Sequence, residues 1–274
     1  MAGSFFPIHD ILSPQILAAE KDFLIVYKPP RMHSAPHIAP HSAPLSDTHG
    51  DTLLDWCYGL FPGIAALPGR RPGEGGLLHR LDYETQGLML LARTVKGMES
   101  LLVRQERGMI LKEYSALTAE SSGNLPGFPP QKPELPHGVF NGKDAAGLPF
   151  QIKSAFRPYG PGRKEVRPVV DGQKKSKEAA FDSGGPYITE ILEARSAGEL
   201  FVSLSLRIFR GFRHQVRNHL AWIGRPVLND ALYGGLSCGK GLLGLRAFSL
   251  AFNDPSSGAE LFYSTAPLDP EHLE

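Results

Sequence analysis

The chain has 274 residues, 42% of them hydrophobic, 21% charged and 9% aromatic, with a net charge of +1. That composition excludes disorder, collagen and coiled coil, and the length suffices for a sizeable core in one or two domains. No apolar run approaches the roughly 20 residues of a membrane helix, Met1 to Asp10 shows no secretory pattern, and Cys57 and Cys238 stand alone, which argues against a disulfide framework or a cysteine-rich zinc site. A soluble intracellular protein is expected.

Along the chain, Phe23 to Tyr27 reads as an apolar strand that halts at Lys28-Pro29-Pro30. The Pro- and His-rich stretch from Arg31 to Gly50 reads as loop. Thr52 is placed to cap a short helix through Leu53, Leu54, Trp56 and Cys57, closed near Gly59, and the Gly/Pro-rich stretch Pro62 to Gly76 reads as loop again. A turn region through Thr85 and Gly87 leads into a buried strand, Leu88 to Ala92. Thr94 can cap a helix from Val95 to about Arg107, with Met98, Leu101 and Leu102 on one face and Gly108 after its end. A strand follows at Ile110 to Thr118. From Glu120 to Pro186 hydrophobicity falls while Pro, Gly and Lys rise, which reads as an elaborated insertion holding a few strands such as Phe150 to Phe156, and not as a domain of its own.

In the second half, Val202, Leu204, Leu206 and Ile208 alternate with polar residues as in a half-buried strand. After Gly211, Val216, Leu220 and Ile223 fit one helical face, ended by Gly224 and Pro226, and Leu245 to Phe252 is another strand. Strands outnumber helices without alternating regularly with them, so an α+β fold with a largely antiparallel sheet is expected. Two stretches are basic: Arg207 to Arg225 has five arginines and no acid, and Gln151 to Glu178 has eight Lys or Arg against three acids. On charge alone a solvated face accounts for both; a one-sided polyanion surface is the sharper reading.

The segment His79-Arg80-Leu81-Asp82-Tyr83-Glu84-Thr85-Gln86-Gly87-Leu88 resembles the H-R-L-D-x-x-T-x-G signature of the RluA-type RNA pseudouridine synthases. Three more segments are similar in the family's order: Lys28-Pro29, Lys112-Glu113-Tyr114-Ser115-Ala116-Leu117, and Gly211-Phe212-Arg213-His214-Gln215-Val216-Arg217 with His219-Leu220 and Gly224 to Gly234. The tail from Phe248 to Leu268 also resembles the family's last strand. The resemblance implies a pseudouridine synthase fold with flanking helices and a central RNA-binding cleft. It implies one catalytic domain over residues 1–274, with 120–186 an insertion and no upstream RNA-binding domain. The implied substrate is a uridine of structured rRNA or tRNA in a stem-loop; the implied setting is cytoplasmic and monomeric, with no membrane partner.

The reaction breaks the uracil N1–C1′ bond and joins C5 to C1′, with no net oxidation or hydrolysis, so no cofactor and no metal are expected. A carboxylate near the sugar can add to C1′ or act there as a base, and an aspartate of ordinary pKa is an anion at neutral pH. The resemblance gives that role to Asp82. Tyr114, on the strand face of Lys112 and Ala116, can stack on the flipped base and help remove the C5 proton. Arg80, with His79 beside it, would fill the space the flipped base leaves, or hold a phosphate. In the family the residue after the motif glycine is an arginine paired with the catalytic aspartate; here it is Phe212. Strand parity makes Arg213 the candidate partner, with Arg210 its rival, because a glycine such as Gly211 can mark a bulge. Arg217 would contact phosphate or buttress the site. Asp230 and Tyr233 read as parts of the following turn, and Gly87 and Gly211 as backbone requirements.

Two other readings compete. His33, His37, His41 and His49 suggest a metal-dependent hydrolase, but Pro36, Pro40 and Pro44 break the helical face that this spacing needs. A catalytically silent RNA-binding protein of the same fold is kept open by Phe212.

Overall fold

A computed structural model describes residues 2–7, 12–36, 52–140, 147–170 and 185–273. In chain order these form β1 (Ala2–Phe6), β2 (Gln15–Ala19), β3 (Phe23–Lys28), α1 (Leu53–Leu60), β4 (Gln86–Ala92), α2 (Val95–Glu106), β5 (Leu111–Ala119), β6 (Phe150–Tyr159), β7 (Glu165–Val169), β8 (Tyr187–Ser196), β9 (Phe201–Ile208), α3 (Gln215–Trp222), β10 (Leu245–Asn253) and β11 (Glu260–Thr265). The chain divides into two compact units, Met1–Leu111 with Ala247–Ala266, and Lys112–Arg246 with Pro267–Glu274.

The first unit carries the strand order β2-β3-β4-β10, with β11 on β10 and β1 on β11. The pair β1–β11 is parallel, whereas β2–β3, β3–β4 and β10–β11 are antiparallel. Pairing Ile25 with Leu90 and Tyr27 with Leu88 puts their side chains on one face, where they join Met98 and Leu101 of α2, Phe252 and Tyr263. Phe23 meets Phe252 edge to face at 5.1 Å, a favoured aromatic geometry. Both helices start as their sequences predict. The Thr52 hydroxyl accepts from the Asp55 amide at 3.2 Å and the Thr94 hydroxyl from the Gly97 amide at 3.0 Å, each satisfying an amide that lacks an intrahelical partner. Pro62–Ala66, expected as loop, winds into a 3-10 turn with its proline in the first position, where a fixed φ and a missing N–H cost nothing.

The second unit is an antiparallel sheet in the order β5-β9-β8-β6-β7. β9 alternates between half-buried and buried positions along its whole length, as its sequence predicts. The expected insertion contributes β6 and β7. α3 departs from the expected one-sided helix: all eight of its residues are buried, because its polar side chains have internal partners. Gln215 donates to the Ile188 carbonyl and Asn218 to that of Val166, while His219 bonds Ser154 and Thr189. The whole is α+β with a mixed, mostly antiparallel sheet and three helices among the described residues. None of those helices is long and apolar enough to cross a membrane.

Candidate active site

In the first unit, Asp82 lies half-buried in a turn closed by the Thr85 amide donating to the Asp82 carbonyl at 3.1 Å. The chain is held on both sides of it. The Ser34 hydroxyl donates to the Leu81 carbonyl at 2.7 Å and accepts from the Leu81 amide at 3.0 Å. Lys28, fully buried, donates from Nζ to the carbonyls of Pro29 at 2.9 Å, Met32 at 2.8 Å and Tyr83 at 3.2 Å. Three carbonyl acceptors use all three N–H bonds of an ammonium. Burial pushes Lys28 down to about 7, while the charges of Asp82 and Glu84 pull it back up. A buried amine thus stands within electrostatic reach of the candidate carboxylate.

Gly87 has a backbone requirement of its own. Its φ is +127°, and a Cβ there would fall 2.2 Å from the Ala247 carbonyl oxygen and 2.6 Å from the Ala247 nitrogen. Only glycine permits that approach. Gln86 accepts from the Tyr27 hydroxyl at 2.6 Å. His79 is half-buried, its Nε2 accepting from the Leu90 amide at 3.2 Å. Arg80 is paired with Glu74, a residue the sequence did not single out. The Arg80 side chain is 40% exposed and that of Glu74 5%. The loop carrying Glu74 is tightly folded, with the Tyr58 hydroxyl donating to the Gly75 carbonyl at 3.0 Å.

In the second unit, Tyr114 is 7% exposed on β5, opposite Leu206 of β9 and on the same face as Lys112 opposite Ile208. Glu113 points the other way and takes both Nε and Nη2 of Arg207, at 3.1 and 2.7 Å. The arginines near Gly211 are tied within this unit. Arg213 is exposed and donates to the carbonyls of Arg163 at 2.6 Å and Glu165 at 3.3 Å. Arg210 donates to the Gly185 carbonyl at 2.8 Å and lies over the Tyr187 ring. Phe212 stacks on Phe156 at 5.1 Å and 9° and touches Tyr187 at 5.0 Å. A packed aromatic therefore occupies the position of the family's arginine.

Arg217 is buried, with Nε on Asp230 Oδ2 at 2.7 Å and Nη2 on Oδ1 at 2.8 Å. Its side chain is 2% exposed, so it presents no open face to a phosphate. Asp230 also anchors the turn that follows: its carbonyl accepts from the amides of Tyr233 and Gly235. The backbone requirement expected at Gly211 is absent there, since a Cβ would meet only Ile208 Cδ1 at an ordinary 3.7 Å. The left-handed conformation falls instead on His214, at φ +55°, and on Asn229, at φ +62°. Asparagine is among the few residues besides glycine that adopt this region readily.

The basic stretches are less open than their charge suggests. Arg157 and Arg167 are buried, Arg157 donating to the Gly127 carbonyl and Arg167 pairing with Glu165 at 2.7 Å. Arg225 pairs with Glu120. Lys153, Arg163, Lys164 and Arg213 are exposed, while Lys174, Lys175 and Lys177 lie outside the described residues. So do His37, His41 and His49. Among the described residues no group of three or more His, Cys, Asp or Glu side chains is placed to hold a metal ion.

Comparison with known proteins agrees with these motifs. The family described as RNA pseudouridylate synthase matches residues 22–222. Ribosomal large subunit pseudouridine synthase D of Haemophilus ducreyi is 26% identical over 94% of this chain and 68% of its own length. That of Vibrio parahaemolyticus is 26% identical over 81% of this chain and 60% of its own length, and that of Escherichia coli K12 26% identical over 67% and 44%. The chain thus spans between under half and about two thirds of these relatives. Among solved structures, human RNA pseudouridylate synthase domain containing 1 superposes with a TM-score of 0.56 at 20% identity, covering 90% of this chain and 82% of that one. Human RNA pseudouridylate synthase domain containing 4 gives 0.55 at 17% identity, covering 94% and 90%. These two agree with the fold. The chain belongs to the RNA pseudouridylate synthase family, isomerases acting on RNA.

Proposed function

We propose that this chain isomerises one uridine of a structured RNA, ribosomal or transfer, to pseudouridine, with Asp82 as the catalytic carboxylate. The observation that carries this reading is the family match together with Asp82 held in a turn whose two flanks are fastened, by Ser34 and by Lys28. A carboxylate so held can meet C1′ from a constant position, and positioning of this kind lowers a barrier without any co-reactant. Tyr114 stacks on the base and assists loss of the C5 proton. Arg213 orients and neutralises the carboxylate, with Arg210 the alternative. Arg80 and His79 contact the RNA where the base leaves its stack. Lys153, Arg163 and Lys164 extend the cationic RNA surface, which reads shape and phosphate more than sequence. The protein works as a monomer in the cytoplasm, without metal or cofactor.

The test is to incubate wild type and Asp82→Asn with unmodified ribosomal and transfer RNA transcripts, chelator present, and to map new pseudouridines. A discrete uridine converted by wild type alone is expected, with RNA affinity of the variant within a few fold. Conversion by Asp82→Asn would remove Asp82 from the centre of the mechanism. RNA binding without conversion by wild type would make a silent RNA-binding protein the better account.

A further inference from the structure

Ser34 lies 47 residues before Leu81 in the chain, yet its hydroxyl is bonded to both backbone groups of the residue that precedes Asp82. Ser34 is 4% exposed and Leu81 7%, so water does not compete for these bonds. The serine is itself anchored. The Leu53 amide donates to the His33 carbonyl at 2.9 Å and the Leu54 amide to the Ser34 carbonyl at 3.2 Å. These are the first amides of α1, which have no acceptor inside the helix. A continuous rigid path therefore runs from the start of α1 through the backbone of Ser34 to its hydroxyl, and from there to the Leu81 peptide and Asp82. On the far side of Asp82, the Lys28 ammonium holds the Tyr83 carbonyl.

We infer that Ser34 is a positioning residue for the reaction: it fixes the backbone from which the Asp82 carboxylate is presented, without touching substrate itself. The inference rests on the catalytic role proposed above for Asp82. Alanine at 34 would leave the Leu81 N–H and C=O buried without their partner. The segment must then shift to find another, and the carboxylate moves with it. A displacement of about 1 Å can cost on the order of a hundredfold in rate, whereas RNA affinity, spread over many phosphate contacts, has no reason to change.

The experiment compares wild type, Ser34→Ala, Ser34→Thr and Thr94→Ala. The last removes the side-chain cap of α2, which lies outside the path through Ser34, and controls for general loosening. Two quantities are read: amide hydrogen exchange at Leu81, and kcat and KM on the transcript that wild type modifies. For Ser34→Ala, exchange at Leu81 should rise about tenfold or more and kcat should fall about ten- to a hundredfold. KM should stay within about twofold. Ser34→Thr, which keeps the hydroxyl, should restore both, and Thr94→Ala should leave both near wild type. Unchanged exchange at Leu81 in Ser34→Ala would overturn the clamp. Faster exchange with unchanged kcat would overturn its link to catalysis. A wild type that converts no uridine would instead overturn the function proposed above, and the exchange measurement would still judge the clamp.

Discussion

The Arg80–Glu74 pair leads to a prediction whose sign separates two ways in which Arg80 could work. To enter the space left by a flipped base, the guanidinium must release Glu74, whose side chain is 5% exposed. Stripping a fully buried carboxylate of its cation costs about 3–5 kcal/mol, and exposed pairs are worth under about 1 kcal/mol. With Arg80 itself 40% exposed, the cost here falls between, at about 1–3 kcal/mol, or roughly 5- to 150-fold in an equilibrium. Stacking against a base returns about 1–3 kcal/mol. The two nearly balance, so the charge on Glu74 sets how readily Arg80 leaves. Glu74→Gln keeps the shape and removes the charge. It should therefore tighten RNA binding by about fivefold or more, while Arg80→Ala weakens it, and the gain should vanish when the two changes are combined. The assay is fluorescence anisotropy of a labelled stem-loop from the modified transcript. It is run at one fixed salt concentration, because phosphate contacts make affinity salt-dependent, and in the Asp82→Asn background to prevent turnover. If Glu74→Gln weakens binding as much as Arg80→Ala does, Arg80 acts while still held by Glu74 and the release argument is wrong.

Asp230→Ala should destabilise the fold by about 3–5 kcal/mol by leaving the buried Arg217 charge uncompensated, whereas Arg217→Met with Asp230→Leu should recover most of it; equal urea midpoints for single and double variants would refute this. His219 is fully buried, and burial pushes its imidazole down to about 3 from an ordinary 6.5. Between those values the unfolded chain takes up a proton that the folded chain refuses, so stability is steady above 6.5 and falls as pH drops toward 3, by up to about 1.4 kcal/mol per pH unit. His219→Gln should flatten that part of the pH dependence in urea unfolding, and an unchanged slope would refute it. Arg213→Ala should lower kcat more than Arg210→Ala; the reverse order in single-turnover assays would mean that Arg210 serves Asp82.

Several features were legible because they are local. Thr52 and Thr94 mark helix starts through bonds that span three residues. The alternation of β9 is a period of two, and Gly87 follows from the motif that contains it. Other features depend on residues far apart in the chain. Glu74 sits in a Gly/Pro-rich loop with nothing in its own surroundings to distinguish it from a solvated acid. Ser34 lies in a stretch that reads only as loop. Phe212 looks like a departure from a catalytic pattern until Phe156 and Tyr187 show that it is part of a packed aromatic group.

Charge was the least transferable signal. Five arginines without an acid between Arg207 and Arg225 read as one open face, yet Arg217 is buried on Asp230, Arg207 lies on Glu113, and Arg225 reaches back to Glu120. The partners lie 13, 94 and 105 residues away, so no window along the chain contains both charges of the two longer pairs. Motif order and periodicity were enough for the family and the α+β class, because these depend on residue type and short spacing. Which cations face solvent, and what holds the backbone on either side of Asp82, followed only from packing: a buried charge or hydroxyl must find its partner in space, wherever along the chain that partner lies.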